Sequence, residues 1–126
     1  MSKKILIVDD NEGDRKLIAE ALSDAQVEVN LIDAGTGDEA IRLAQDEKPD
    51  LILMDVMMPG MNGGDAVKLL KSDKRTDGIP IVFLTGMYSK GDEKAHGKIN
   101  INEEFYDSIA KPFDETKLIT TINKYV

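Results

Sequence analysis

The sequence predicts a three-layer α/β sandwich, in which helices cover both faces of a parallel sheet. Two observations carry this. Short apolar runs alternate with amphipathic stretches five times along the 126 residues. Several of the runs are apolar throughout, which is the pattern of strands buried on both faces and covered by helices. Right-handed crossovers then place helices on each side. There is no long repeat, low-complexity tract or linker, so a single domain is expected over residues 1–126.

The elements follow in order. "ILIVDD" (5–10) reads as a buried strand ending in acids. "DRKLIAEALSDA" (14–25) puts Leu17, Ile18, Ala21, Leu22 and Ala25 on one helical face. "VEVNLID" (27–33) alternates as a strand does. "TGDEAIRLAQDEK" (36–48) spaces Ala40, Ile41 and Ala44 as a helix does, with Pro49 beyond its end. "LILMD" (51–55) is the third strand, "GGDAVKLLKSD" (63–73) the third helix and "IPIVFLT" (79–85) the fourth strand. Residues 86–105 are polar and contain Gly86, Gly91 and Gly97; a fourth helix is expected there. "DSIAK" (107–111) is a short fifth strand. "DETKLITTINKYV" (114–126) is a last amphipathic helix with Leu118, Ile119 and Ile122 inward.

Composition narrows the function. Hydrophobic residues make up 41% of the chain, enough for a real core. The net charge of −8 argues against a nucleic-acid binder, which needs a basic patch. No cysteine is present, so disulfides, thiolate metal sites and cysteine nucleophiles are excluded. The apolar run near the N-terminus is too short for a signal-peptide core, and no run approaches a membrane span. A cytoplasmic protein without membrane association is therefore expected.

The strand ends carry the chemistry. Ligands of open parallel sheets bind beyond the carboxyl ends of the strands. Strand one ends in Asp9 and Asp10, strand three in Asp55, strand four in Thr85 and strand five in Lys111. Two carboxylates about 4 Å apart repel by roughly 4 kcal/mol at an effective dielectric near 20. Three such acids either raise their pKa values or bind a cation. Mg2+ suits all-oxygen ligands and pairs carboxylates with phosphate. One carboxylate could then attack phosphorus, its developing charge met by the metal, the Lys111 ammonium and the Thr85 hydroxyl.

Together "ILIVDD", "LILMDVMMPGMNG", "IVFLTG" and "AKPF" resemble, in order and spacing, the receiver domain of two-component response regulators. The resemblance spans nearly the whole chain. It implies a flavodoxin-like fold with five parallel strands in the order 2-1-3-4-5 and five helices. It implies that Asp55 accepts the phosphoryl group, and that Asp10, Asp55 and the backbone carbonyl of Met57 bind Mg2+ while Asp9 holds its water shell. It implies that Lys111 binds the phosphoryl group before a cis peptide bond to Pro112. Thr85 becomes the hydroxyl that carries the signal, and Gly86 the small residue that leaves the pocket open. The implied partners are a sensor histidine kinase or histidine phosphotransfer protein and an unknown downstream protein. No nucleic acid is bound through this domain, and the oligomeric state is monomer or weak dimer. The domain catalyses its own phosphorylation and dephosphorylation and is not a turnover enzyme for a small substrate.

The sequence departs from that family in two places. Ser108 stands three residues before Lys111, where the family usually has Tyr or Phe; Tyr106, Phe105 or Tyr88 substitutes, or signalling uses no ring. The stretch between Thr85 and Lys111 is about four residues longer than expected and reads "NEEFYDS" in place of a Gly-Ala-Asp signature. Met57 and Met87 lie two places after Asp55 and Thr85, where the resemblance implies control of water access; two apolar side chains there slow hydrolysis.

Other motifs compete. "GTGDEA" (35–40) fits a dinucleotide fingerprint, but it follows the second strand and puts Asp38 and Glu39 where a pyrophosphate would approach. "DDNEGD" (9–14) approaches a calcium loop, but Gly13 falls one place early. His96, the only histidine, is expected to face solvent. An aspartate-based phosphohydrolase shares the nucleophile logic, yet needs a second acid where Met57 stands.

Overall fold

The computed structural model describes residues 3–86 and 98–126. Strands β1 (Lys3–Val8), β2 (Val29–Ala34), β3 (Leu51–Asp55), β4 (Ile81–Thr85), β5 (Lys98–Ile101) and β6 (Glu104–Ala110) form one sheet in the order β2-β1-β3-β4-β6-β5. The first five positions are parallel, and β5 adds an antiparallel edge against β6. Helices α1 (Glu12–Asp24), α2 (Gly37–Glu47), α3 (Gly63–Lys71) and α4 (Glu115–Asn123) flank it.

Alternation along the strands sorts the core into two faces. Leu6, Val8, Ile52, Met54, Ile81 and Phe83 meet α2 and α3 through Ala40, Ala44, Ala66, Val67 and Leu70. Ile5, Ile7, Leu51, Leu53, Val82, Leu84 and Ile109 meet α1 and α4 through Ile18, Leu22, Leu118 and Ile122. The helices start where the sequence supplies a cap. Asn11, Thr36, Asn62 and Asp114 each accept a backbone N–H from three residues ahead. At α2, the Glu39 carboxylate also reaches back to the Gly35 N–H at 2.8 Å. The "GTGDEA" stretch is thus a closed helix start. "DDNEGD" resolves in the same way, as the capped start of α1.

The expected sheet of five strands needs correcting. A sixth strand, β5, lies in the stretch read as helix, and the strand expected at 107–111 begins at Glu104. β5 and β6 form a hairpin whose two loop residues, Asn102 and Glu103, have φ of 53° and 69°. Such positive values let a two-residue turn follow the twist of its strands. Ile99, Ile101 and Tyr106 pack against the α2/α3 face, so the "KINI" alternation has a physical purpose. Four of the five expected helices occur among the described residues. The remainder of the stretch read as helix, residues 87–97, lies outside them, as do Met87, Tyr88 and His96. Helix faces hold with local exceptions: Leu17 is 54% exposed, and Ala25 is also exposed.

Candidate functional site

The carboxyl ends of β1, β3, β4 and β6 converge. Asp9 and Asp55 are buried, and Asp10 is exposed at the rim. One carboxylate oxygen from each of the three lies within 4.8 Å of those of the other two. Buried strands fix this crowding: Val8 and Met54 are register partners on adjacent strands, so the residues that follow them exit together.

Lys111, one residue past β6, enters this acidic pocket. Its Nζ lies 2.6 Å from Asp9 Oδ2, 3.0 Å from Asp14 Oδ2 and 3.4 Å from Asp55 Oδ2. Its backbone N–H donates to the Thr85 carbonyl at 2.8 Å, joining the ends of β4 and β6. Burial works against the ammonium, but hydrogen bonds to Asp9 and Asp14 and the Asp55 charge outweigh it and hold its pKa above the usual lysine value. Asp55 moves upward too. Burial first, then the Asp9 charge, push its carboxyl up to about 6, against the pull of Lys111 and the Met57 N–H.

The loop after β3 is held close to the sheet. Met57 N–H donates to Asp55 Oδ1 at 3.2 Å, and Gly63 N–H to the Val56 carbonyl at 2.9 Å. A Cβ on Gly63 would fall 2.3 Å from the Asp55 carbonyl oxygen, so glycine is what lets α3 begin beside the strand end. Thr85 is buried, and Gly86 next to it is exposed; a Cβ on Gly86 would sit 3.7 Å from the Lys111 side chain. The Lys111–Pro112 peptide bond is cis. Met57 is 61% exposed.

Asp9, Asp10, Asp55, Thr85, Gly86 and Lys111 therefore share one edge, with Met57 on the loop above it. The residue missed by sequence reasoning is Asp14. It lies in the first turn of α1, three residues after the Asn11 cap, where an acid is an ordinary helix-start residue and carries no site signal of its own. Arg15 was missed as well. Its guanidinium donates to the Asp9 carbonyl and lies 3.6 Å from Asp33 Oδ2, tying the end of β1 to β2.

The donor set fits Mg2+. The clustered donors are hard carboxylate oxygens, with no imidazole or thiolate among them. Such a pocket would suit a small divalent cation at the carboxylates, with the Lys111 ammonium beside them able to meet an anionic oxygen.

Residues 5–123 match the family described as the response regulator receiver domain. The chain is 37% identical over 120 residues to Protein PilH of Pseudomonas aeruginosa, covering 95% of this chain and 94% of that protein. It is 36% identical to the polar-differentiation response regulator DivK of Brucella ovis, covering 100% of this chain and 98% of that one. Among solved structures it resembles chemotaxis protein CheY4 of Vibrio cholerae, with TM-score 0.80, 29% identity and 100% of both chains covered. It also resembles the receiver domain of sensor histidine kinase PA1611 from P. aeruginosa, with TM-score 0.79, 25% identity and 99% and 98% covered. That structure has a magnesium ion coordinated in its active-site cleft.

Proposed function

The chain belongs to the response regulator receiver domain family, and from that premise we propose that it accepts a phosphoryl group on Asp55 from a partner phosphohistidine and thereby switches a partner-binding face. One observation carries this reading: a buried strand-end carboxylate, Asp55, lies 3.4 Å from a lysine ammonium and within one oxygen cluster with Asp9 and Asp10. The donor is a sensor histidine kinase or histidine phosphotransfer protein.

Asp9, Asp10 and Asp55, with the Met57 carbonyl, would hold Mg2+, which when bound neutralises charge on the phosphoryl oxygens. The remaining work falls to the chain. An Asp55 carboxylate oxygen bonds to phosphorus as the P–N bond to the donor imidazole breaks, and the imidazole nitrogen keeps the electron pair. Lys111 donates a hydrogen bond to the transferred group. Thr85, buried beside Lys111, meets the new oxygens with its hydroxyl and passes the change along β4. Water later attacks the phosphorus, the P–O bond to the Asp55 carboxylate breaks, and inorganic phosphate leaves with Asp55 restored. The domain promotes its own modification and its reversal and has no turnover of a small substrate. Met57, exposed and two residues after Asp55, limits access of that water; Met57→Asn shortens the phosphoryl lifetime, and an unchanged lifetime removes Met57 from this role.

Incubation with Mg2+ and acetyl phosphate, followed by intact mass measurement, tests the reading. One phosphoryl adduct is expected, absent in Asp55→Ala and absent in EDTA. Steady hydrolysis of phosphate esters, or an adduct that survives in Asp55→Ala, would overturn it. No helix among the described residues is long and apolar enough to cross a membrane.

A further inference from the structure

The Lys111 ammonium has three protons to donate, and three carboxylates surround it: Asp9 at 2.6 Å, Asp14 at 3.0 Å and Asp55 at 3.4 Å. From this we infer that Asp14 is a positioning residue that competes with the incoming phosphoryl group for Lys111. The inference rests on the receiver reading and deepens it.

The three contacts are unequal. Asp9 is fully buried, and its other oxygen accepts the Asn11 N–H at 2.9 Å, so it is fixed from two sides. Asp55 is itself the group modified. The Asp14 side chain is 23% exposed. Its backbone N–H is held by the Asn11 cap whatever its carboxylate does. A new anionic oxygen on Asp55 needs a proton from Lys111, and the contact that costs least to release is the one to Asp14. The Asp14 charge also repels the arriving phosphoryl group. Asp14 thus holds Lys111 on the α1 side of the pocket while Asp55 is free, and sets how strongly an anion must bind to draw it away.

The consequence is a brake on phosphorylation tuned by one side chain. Asp14→Asn keeps the size and an acceptor oxygen but removes the charge. It should bind beryllofluoride, at saturating Mg2+, roughly fivefold more tightly than the wild type, at the upper end of what one partly exposed ion pair contributes. Phosphorylation by acetyl phosphate should accelerate in the same direction. Asp14→Glu, which restores the charge, should return to within about twofold of wild type. Glu12→Gln is the control: it removes an acid from the same helical turn, but Glu12 pairs outward with Lys16 at 3.2 Å. It should leave beryllofluoride binding unchanged, whereas a general effect of removing an acid from this end of α1 would appear in it as well.

Calorimetry with beryllofluoride on the four proteins, with Mg2+ affinity measured separately, reads these arms. Tighter binding in Asp14→Asn alone, with Mg2+ affinity within about twofold of wild type, supports the inference. Equal or weaker binding in Asp14→Asn, or the same gain in Glu12→Gln, overturns it. A wild type that binds no beryllofluoride overturns the receiver reading instead. Should Asp14→Asn fold poorly, the Asp14 carboxyl carbon of the wild type can be followed by NMR. Its resonance should move when beryllofluoride is added, and a stationary signal overturns the inference.

Discussion

The side-chain amide of Asn102, at the tip of the β5–β6 hairpin, donates a 3.1 Å hydrogen bond to the carbonyl of Gly64 at the start of α3. Gly64 follows Gly63, whose N–H is bonded to Val56, the residue after Asp55. The edge hairpin is therefore connected to the loop above Asp55 through a short series of bonded residues. Asn102→Gly removes the amide while tolerating φ of 53°. It should raise hydrogen exchange across residues 98–105, with a stability loss of about 1 kcal/mol or less for an exposed bond. Exchange equal to wild type would show that the hairpin is held by its apolar contacts alone.

Glu103 sits at φ 69° in the same turn, where a side chain is strained and glycine is not. Glu103→Gly converts the turn to Asn-Gly, which suits a two-residue hairpin loop. A gain of roughly 0.5 kcal/mol in thermal or chemical denaturation is expected, and a loss would mean that the Glu103 side chain contributes more than its backbone costs.

Gly63 tests the other end of that connection. A Cβ there meets backbone at 2.3 Å, which no side-chain rotation relieves. Gly63→Ala should destabilise the protein by about 2 kcal/mol or more and lower the Asp55 phosphorylation rate, whereas Gly64→Ala, with contacts no closer than 3.3 Å, should be far milder.

Asp55 is held against its own charge: burial and Asp9 both oppose its ionisation. Asp55→Asn should therefore raise the melting temperature in EDTA, by the equivalent of about 1–2 kcal/mol. The gain should shrink as Mg2+ is titrated into both proteins, because the cation relieves the same repulsion in the wild type. Equal melting temperatures in EDTA would mean that Lys111 already compensates fully.

What could be read from the sequence follows from what sets each feature. Runs such as Leu51–Met54 have one stable use, so β3 and the exit of Asp55 from it were legible, and the shared edge of Asp9, Asp10, Thr85 and Lys111 came with the strand order. The hairpin was not. Its turn is Asn102–Glu103, without the glycine that marks such turns, and β5 is four residues long among polar neighbours. Asp14 escaped notice because a single acid in the first turn of a helix is ordinary; only the reach of Lys111 gives it meaning.

Tyr125 ties the C-terminus to β6. Its hydroxyl donates to the buried Asp107 carboxylate. Burial first, then that hydrogen bond and the Asp107 charge, raise the phenol to about 12 from an ordinary value of 10.0. The folded state thus keeps the proton more tightly than the unfolded chain. The stabilisation is complete below about pH 10 and is lost as pH rises toward about 12. Tyr125→Phe should flatten stability against pH across that window, as followed by denaturation at stepped pH, and an unchanged alkaline slope would assign the effect elsewhere.

The last prediction concerns the ring expected where Ser108 stands. Ser108 is the register partner of Phe83, two residues before Thr85 on β4. Phe105 is 69% exposed. Tyr106, by contrast, meets Phe83 edge-on, with ring centroids 5.2 Å apart, and its hydroxyl donates to Glu104 at 3.0 Å. Among the described candidates, Tyr106 is the ring that touches the strand leading to Thr85. A change at Thr85 can reach it through one buried side chain, so it is the ring best placed to report the state of Asp55 to the edge hairpin. Tyr106→Phe keeps the edge contact and loses only the bond to Glu104; it should preserve the change in hairpin hydrogen exchange that beryllofluoride induces. Tyr106→Ala removes a contact of about 1 kcal/mol and should abolish that change while Asp55 is still modified. If the beryllofluoride-induced change persists in Tyr106→Ala, the signal does not travel through this ring, and the loop from Val56 to Gly64 with its Asn102 bond becomes the route to test.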